Sequence, residues 1–271
     1  MIATPDTEAP LDEFPTPPTV TARKVRLRFA KRGDLRLVSH HDLMRCLERL
    51  LRRAAIPVAH SQGFNPRPKV VFAQAMALGI EGRREVLDID LAEPLEPSEV
   101  LERLAAAAPP GLEFLEIEAV APGKTAQVAA VEYELPVPPA RREMERAAVS
   151  SLLSCESRPY TRIRGEKQVH FDLRPFLLGA ALRDDGALWL RLMMTQSGSS
   201  ARPEEAIDAL GLRDLLDAGA ILVRTEVELA PAPEPRPNPN PSTPAVAALN
   251  EPTPAGESIT PATTASERPP A

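Results

Sequence analysis

The first clear periodicity begins at residue 24. In KVRLRFAK, Val25, Leu27 and Phe29 alternate with Lys24, Arg26 and Arg28, the period of a strand with one buried face. Arg32-Gly33-Asp34 supplies a turn, and the period then lengthens. Leu43, Leu47, Leu50 and Ala54 form an apolar stripe, while Arg45, Arg49, Arg52 and Arg53 gather on another face. Ser39, with Asp42 three residues later, predicts the N-cap and capping box of that helix. Beyond it, Lys69–Ala75 and Arg84–Ala92 read as strands separated by a segment containing Gly79 and Gly82. Pro97–Ala108 reads as a helix ending at Pro109-Pro110-Gly111, and Leu112–Val120 as a strand. The order is strand, helix, strand, strand, helix, strand.

A similar order follows. Ala130–Val137 is a strand and Ala140–Leu153 an amphipathic helix. Tyr160–Arg164 and Lys167–Leu173 are two strands around the turn 164–166, and Phe176–Arg183 with Ala187–Met194 reads as an additional hairpin around Asp184-Asp185-Gly186. Gly198 marks a flexible approach to a short helix, Pro203–Leu210, which has Pro at its first position and Gly211 past its end. Ala220–Leu229 is the closing strand. This order predicts an α+β fold of two ferredoxin-like, βαββαβ-type halves, 23–122 and 123–230. Residues 1–22 hold five prolines, and 231–271 hold 12 in 41 residues without apolar periodicity. Such segments bury too little surface to offset their ordering entropy, so a disordered leader and a disordered tail are expected.

Charge changes the picture more than composition does. The net charge is −6, yet residues 23–84 carry 15 Lys and Arg against four acids, a local surplus of +11. A split of this size concerns partners, and points to a polyanion. The two cysteines, Cys46 and Cys155, form no CxxC cluster, which favours reduced thiols and a cytoplasmic protein. No apolar run approaches a membrane span, and the N-terminus lacks the basic and apolar regions of a secretory signal.

The candidate chemistry lies in this basic part. Ser39, His40 and His41 open the first helix, where free backbone N–H groups and the positive end of the dipole suit an anion. His40 or His41 could instead act as a general base, or simply be a solvated first-turn residue. His60 precedes the loop SQGFNPRPK and could converge with the helix start, whereas His170 alternates within a strand and reads as structural. Adjacent histidines diverge on a helix, so no metal site is expected. In the loop, Gly63 permits an unusual backbone, and Pro66 and Pro68 fix where Arg67 and Lys69 project. Phe64 either stacks on a nucleobase, with Asn65, Arg67 and Lys69 on the backbone beside it, or plugs the core. Arg45, Arg49 and Arg52 are either a solvated helix face or, with the basic side of the preceding strand, a phosphate grip. There is no Walker loop, dinucleotide fingerprint or nucleophile elbow.

These motifs carry a resemblance. The run from Arg26 to Lys69, continued in ALGIEGRREVLDIDL, resembles the radical-SAM-linked protein family, built on bacterial domain of unknown function 2344. The matching positions are Ser39, His40, Asp42 and Arg45 at the helix start, then Ser61, Gly63, Phe64, Pro66, Pro68 and Lys69 in the loop. The later Arg202-Pro203-Glu204-Glu205 is similar too. The family loop has His between its prolines, where this chain has Arg67, an exchange that suits phosphate binding rather than acid–base chemistry. The resemblance implies an accessory subunit beside a separate radical SAM enzyme. Two isolated cysteines cannot ligate a radical SAM cluster, so the chain is not itself that enzyme, and no cofactor is expected of it. The leading expectation is a subunit that binds RNA, tRNA or rRNA, through Arg45, Arg49, Arg52, Phe64, Asn65, Arg67 and Lys69. A metal-independent endoribonuclease using His40 or His41, and an interaction module without nucleic acid, are the alternatives.

Overall fold

The computed structural model describes residues 21–195 and 200–231. The leader up to residue 20, the flexible approach at Gly198 and the tail from residue 232 lie outside the described residues. Ten strands and five α-helices are present among the described residues.

β1 (Ala22–Lys31) starts at the last residue of the expected leader and is the central strand of the first half. Val25, Leu27 and Phe29 are fully buried on one face. Against that face pack α1 (His40–Arg53), through Leu43, Leu47, Leu50 and Leu51, and α2 (Pro97–Ala107), through Val100 and Leu104. Each of these buried leucines contributes about 1.5–3 kcal/mol. β3 (Glu81–Leu95) and β4 (Leu112–Ala119) flank β1, both antiparallel to it, and the short β2 (Val70–Phe72) pairs antiparallel with β3. β2 is shorter than the expected strand for a topological reason. After Ala73 donates to the Val86 carbonyl the chain leaves the sheet, because the next positions on that edge of β3 are taken by the last strand of the protein.

The second half has β5 (Val128–Pro136), α3 (Arg142–Ser154), β6 (Pro159–Arg164), β7 (Lys167–Asp172), β8 (Leu177–Leu182), β9 (Ala187–Met193), α4 (Pro203–Ala209), α5 (Arg213–Asp217) and β10 (Val223–Leu229). Its sheet order is β10-β5-β9-β8, all antiparallel. The hairpin read as additional, β8–β9, is therefore the one in the sheet. β6 and β7 form a separate two-stranded ribbon. The cause is apolar alternation: Leu188, Leu190 and Leu192 of β9 are buried, whereas residues 167–170 of β7 are all exposed.

The two halves share one eight-stranded mixed sheet. β10 runs parallel to β3 and joins it through two residue pairs, Val223–Glu81 and Arg224–Gly82. Two apolar cores result, one under α1 and α2, the other around β5, β8, β9, α3 and α4. Between them, on the helix side of the sheet, runs the row Lys31–Gly82–Arg224–Tyr133.

Candidate functional site

The loop after α1 is held by its own ends. The Ser61 N–H donates to the Arg67 carbonyl at 2.8 Å, and the Arg67 N–H donates to Ser61 Oγ at 3.0 Å. His60 pairs across with Pro68. Gly63, at φ +136°, takes a conformation that L side chains rarely adopt. Phe64 does not plug the core: it is fully exposed at the loop tip, and Asn65, Arg67 and Lys69 are exposed with it. The ring is thus left in solvent, where the burial energy that holds the core residues is not gained.

On α1, Arg49 and Arg52 are exposed and make no ion pair among the described residues. Arg45 reaches Asp42 at 3.2 Å, an exposed pair that solvent screens. Arg53 donates to the Ala107 carbonyl instead. The basic side of β1, in contrast, is already neutralised. Arg26 makes a bidentate bond to Asp88, at 2.7 and 3.0 Å. Lys24 Nζ stands 3.6 Å from Asp88 and 3.4 Å from Asp90, and Arg28 donates to Glu226 at 2.5 Å. Arg83 and Arg84 are likewise paired, with Glu134, and with Glu116 and Glu226. The acids come from β3, β4, β5 and β10, so the +11 surplus of one stretch of sequence is largely cancelled by the fold.

The start of α1 is a different place. Ser39 Oγ accepts the Asp42 N–H at 3.2 Å and donates to the Asp42 carboxylate at 2.7 Å, which commits the pair to capping. His41 is exposed. His40 turns inward, its ring 5.0 Å from that of Phe72, with Nδ1 buried and without a hydrogen-bond partner among the described residues. Burial, and then the charges of His41, Arg224 and Lys31, lower its pKa. His60 does not converge on this point. It is exposed beyond the other end of α1, which at 14 residues spans about 20 Å. Among the described residues no group of three or more His, Cys, Asp or Glu is arranged to hold a metal ion.

Beneath His40 lies a buried polar set that the sequence reading passed over. Lys31, Glu85 and Arg224 are 0%, 1% and 4% exposed. Arg224 holds the Glu85 carboxylate at 2.7 and 2.5 Å and donates to the Ala75 carbonyl at 3.0 Å. Gly82 makes the room: a Cβ there would fall 2.4 Å from Glu85 Oε1. Lys31 Nζ has no hydrogen-bond partner among the described residues. Burial lowers its pKa, opposed by Glu85 and reinforced by Arg224. The sign follows. A lysine whose folded pKa is depressed is a burden below that pKa, and the burden lifts as pH rises towards its ordinary 10.5. Lys31→Met, similar in volume, is therefore expected to raise stability at pH 7 by about 1–2 kcal/mol. Urea unfolding at pH 7 and pH 9.5 checks this: the gain must shrink at the higher pH, and a loss of stability would refute it.

Arg224 and Tyr133 also form the floor of a cleft of about 770 Å³ between the two cores. Its walls are the 74–80 segment, the β6 strand from Tyr160 to Ile163, and residues 200–205. Arg162 makes a bidentate pair with Glu205, at 2.5 and 2.7 Å, and the same carboxylate accepts the Arg202 N–H at 2.8 Å. Tyr160 donates to Asp208 at 2.8 Å, and burial, with that bond, pushes its pKa up to about 12. The Arg202 side chain is exposed and makes no ion pair among the described residues.

No helix among the described residues is long and apolar enough to cross a membrane. No curated protein matches the chain. A family model does match, over residues 24–203, which takes in most of β1, the helix-start and loop motifs, the ribbon and the first residues of Arg202–Glu205. The chain thus belongs to the bacterial family described as "Uncharacterized protein conserved in bacteria (DUF2344)".

Proposed function

We propose that this protein is an RNA-binding accessory subunit that presents tRNA or rRNA to a separate radical SAM enzyme in the cytoplasm. The observation that carries the RNA reading is Phe64, fully exposed on a braced loop with Asn65, Arg67 and Lys69 around it. An aromatic ring among cations matches unstacked bases on a phosphate backbone. Arg49 and Arg52, exposed and free of ion pairs among the described residues, extend the positive surface along α1 towards the loop end of the helix. Arg45 joins them once RNA phosphate competes with Asp42. The link to a radical SAM enzyme rests on the resemblance of the helix-start and loop motifs. The repeated strand order within each half is read here as ferredoxin-like, a layout common among RNA-binding modules.

The test is RNA binding by the full chain across a salt series. Affinity is expected to fall steeply with salt. Phe64→Ala is expected to weaken binding by about 1–3 kcal/mol, and the triple change of Arg45, Arg49 and Arg52 to Ala to flatten the salt slope by about two to three. RNA cleaved by the protein alone would favour an endoribonuclease using His40 or His41. No binding at low salt would leave the interaction module, with an acidic protein partner on the same surface.

A further inference from the structure

The eight-stranded sheet ends on two edges that differ in kind. At one end β4, LEFLEIEA, carries Glu113, Glu116 and Glu118, charges that deter a further strand. At the other end β8, LLGAAL, holds neither a charge nor a proline, and Leu178 is 46% exposed on it. Its register against β9 shifts once, between Leu177 and Gly179, and is regular from there to Leu182. The hairpin fixes which backbone groups face outward. The Arg183 N–H donates to the Ala187 carbonyl at 2.9 Å, so Arg183 is bonded towards β9. Alternation gives Ala181 and Gly179 the same direction, and turns the N–H and C=O groups of Leu182, Ala180 and Leu178 to the open side. Among the described residues no strand or loop backbone meets them there. On the face away from the helices, the Trp189 ring lies over Gly179, where a Cβ would fall 2.9 Å from it. Apolar surface of β9 thus reaches onto the edge strand.

We propose that β8 is a docking edge for a second copy of this chain, pairing antiparallel with its counterpart across a two-fold axis at Ala180. Only residues whose amides face outward can exchange ladder bonds, which sets the register. Ala180 meets the other Ala180, Leu178 meets Leu182, and Gly179 meets Ala181. In this register the strand is self-complementary: leucine faces leucine, small residue faces small residue, and no like charges are opposed. That symmetry selects the same chain as the occupant, since a strand from another protein would need none of it. β4 could not pair with itself in this way, because its glutamates would gather in one seam. About six ladder hydrogen bonds would form, shared equally by the two copies. α3 packs on β8, so the same axis sets two α3 helices side by side and widens the contact beyond the strand. β8 and β4 lie at opposite ends of the sheet, and the inference stands whether or not the Phe64 loop binds RNA.

The experiment is sedimentation equilibrium of the full chain, freed of nucleic acid, from about 1 to 200 µM. A reversible monomer–dimer equilibrium is expected, the dimer having twice the chain mass of 29.4 kDa. Leu178→Lys, at an exposed position, sets a charge in the seam and must weaken dimerisation by about tenfold or more. Leu78→Lys, at a leucine 65% exposed but outside β8, must leave it unchanged. Hydrogen exchange supplies a check that needs no substitution: residues 177–182 should exchange more slowly as concentration rises, and the β4 segment should not. A monomer at every concentration overturns the proposal and leaves the edge to a strand of another protein. A dimer that Leu178→Lys leaves intact overturns it too, as does one in which residues 177–182 gain no protection.

Discussion

Glu85→Ala is expected to destabilise the protein by about 3–5 kcal/mol, because it strands Arg224 in a site where that residue is 4% exposed. In the native protein the guanidinium spends two donors on Glu85 and one on the Ala75 carbonyl. Without the carboxylate, a permanently charged group stays out of water with only the neutral Ala75 carbonyl and Tyr133 hydroxyl as acceptors, and Lys31 loses the anion beside it. Arginine cannot shed its proton to escape. The double variant Glu85→Ala, Arg224→Met should recover at least half of the loss, since it removes the charge left unpaired. Urea denaturation of the three proteins decides the matter. A loss under about 1 kcal/mol for Glu85→Ala, or no recovery in the double variant, would mean that the buried pair does not hold the two halves as described.

Asp88→Ala is expected to cost a similar amount, about 3–5 kcal/mol, on the opposite face of the sheet. The Asp88 carboxylate accepts both bonds from Arg26, at 2.7 and 3.0 Å, and the Ala126 N–H at 3.3 Å, with Lys24 Nζ at 3.6 Å. Lys24 and Asp88 are 6% and 2% exposed, so the Coulomb attraction is little screened. Asp88→Asn keeps the shape but not the charge, and should fall between the wild type and the alanine variant. The RNA salt slope of the Asn variant should match the wild type, because Arg26 and Lys24 face Asp88 and not solvent. A steeper slope would show those cations released to bind phosphate, and would return β1 to the basic surface.

Those two carboxylates also explain which parts of the protein were legible in its sequence. The first helix and its cap were, because Leu43, Leu47 and Leu50 repeat at helical spacing behind Ser39. The order of elements in the first half was too. Charge was not, because a count along the chain cannot see that Glu226, 198 residues away, neutralises Arg28. The ribbon and the sheet hairpin exchanged roles for a reason visible in retrospect: β9 alternates leucines, whereas Lys167 to His170 offers no apolar face. α5 has five residues, too few to show a period. Phe64 was undecidable from pattern, since Gly63, Asn65 and Pro66 give it no periodic neighbours. The buried set left a signal that went unused. Lys31 continues the apolar side of Val25, Leu27 and Phe29, and Glu85 that of Leu87, Ile89 and Leu91. Arg224 was hidden by the register shift between it and Glu226.

The parallel join of β10 to β3 has a consequence for the order in which the chain becomes whole. β1 to β4 are complete by Ala119, yet the strand that covers the free edge of β3 at Glu81 and Gly82 begins only at Val223. During synthesis, Glu85 and the neighbouring length of β3 wait without Arg224 while more than a hundred further residues are made. An open strand edge beside an unpaired carboxylate is what a nascent chain must keep from other chains. The acid itself guards the gap, charged and hydrated until its guanidinium arrives, and the last strand to leave the ribosome closes both halves at once.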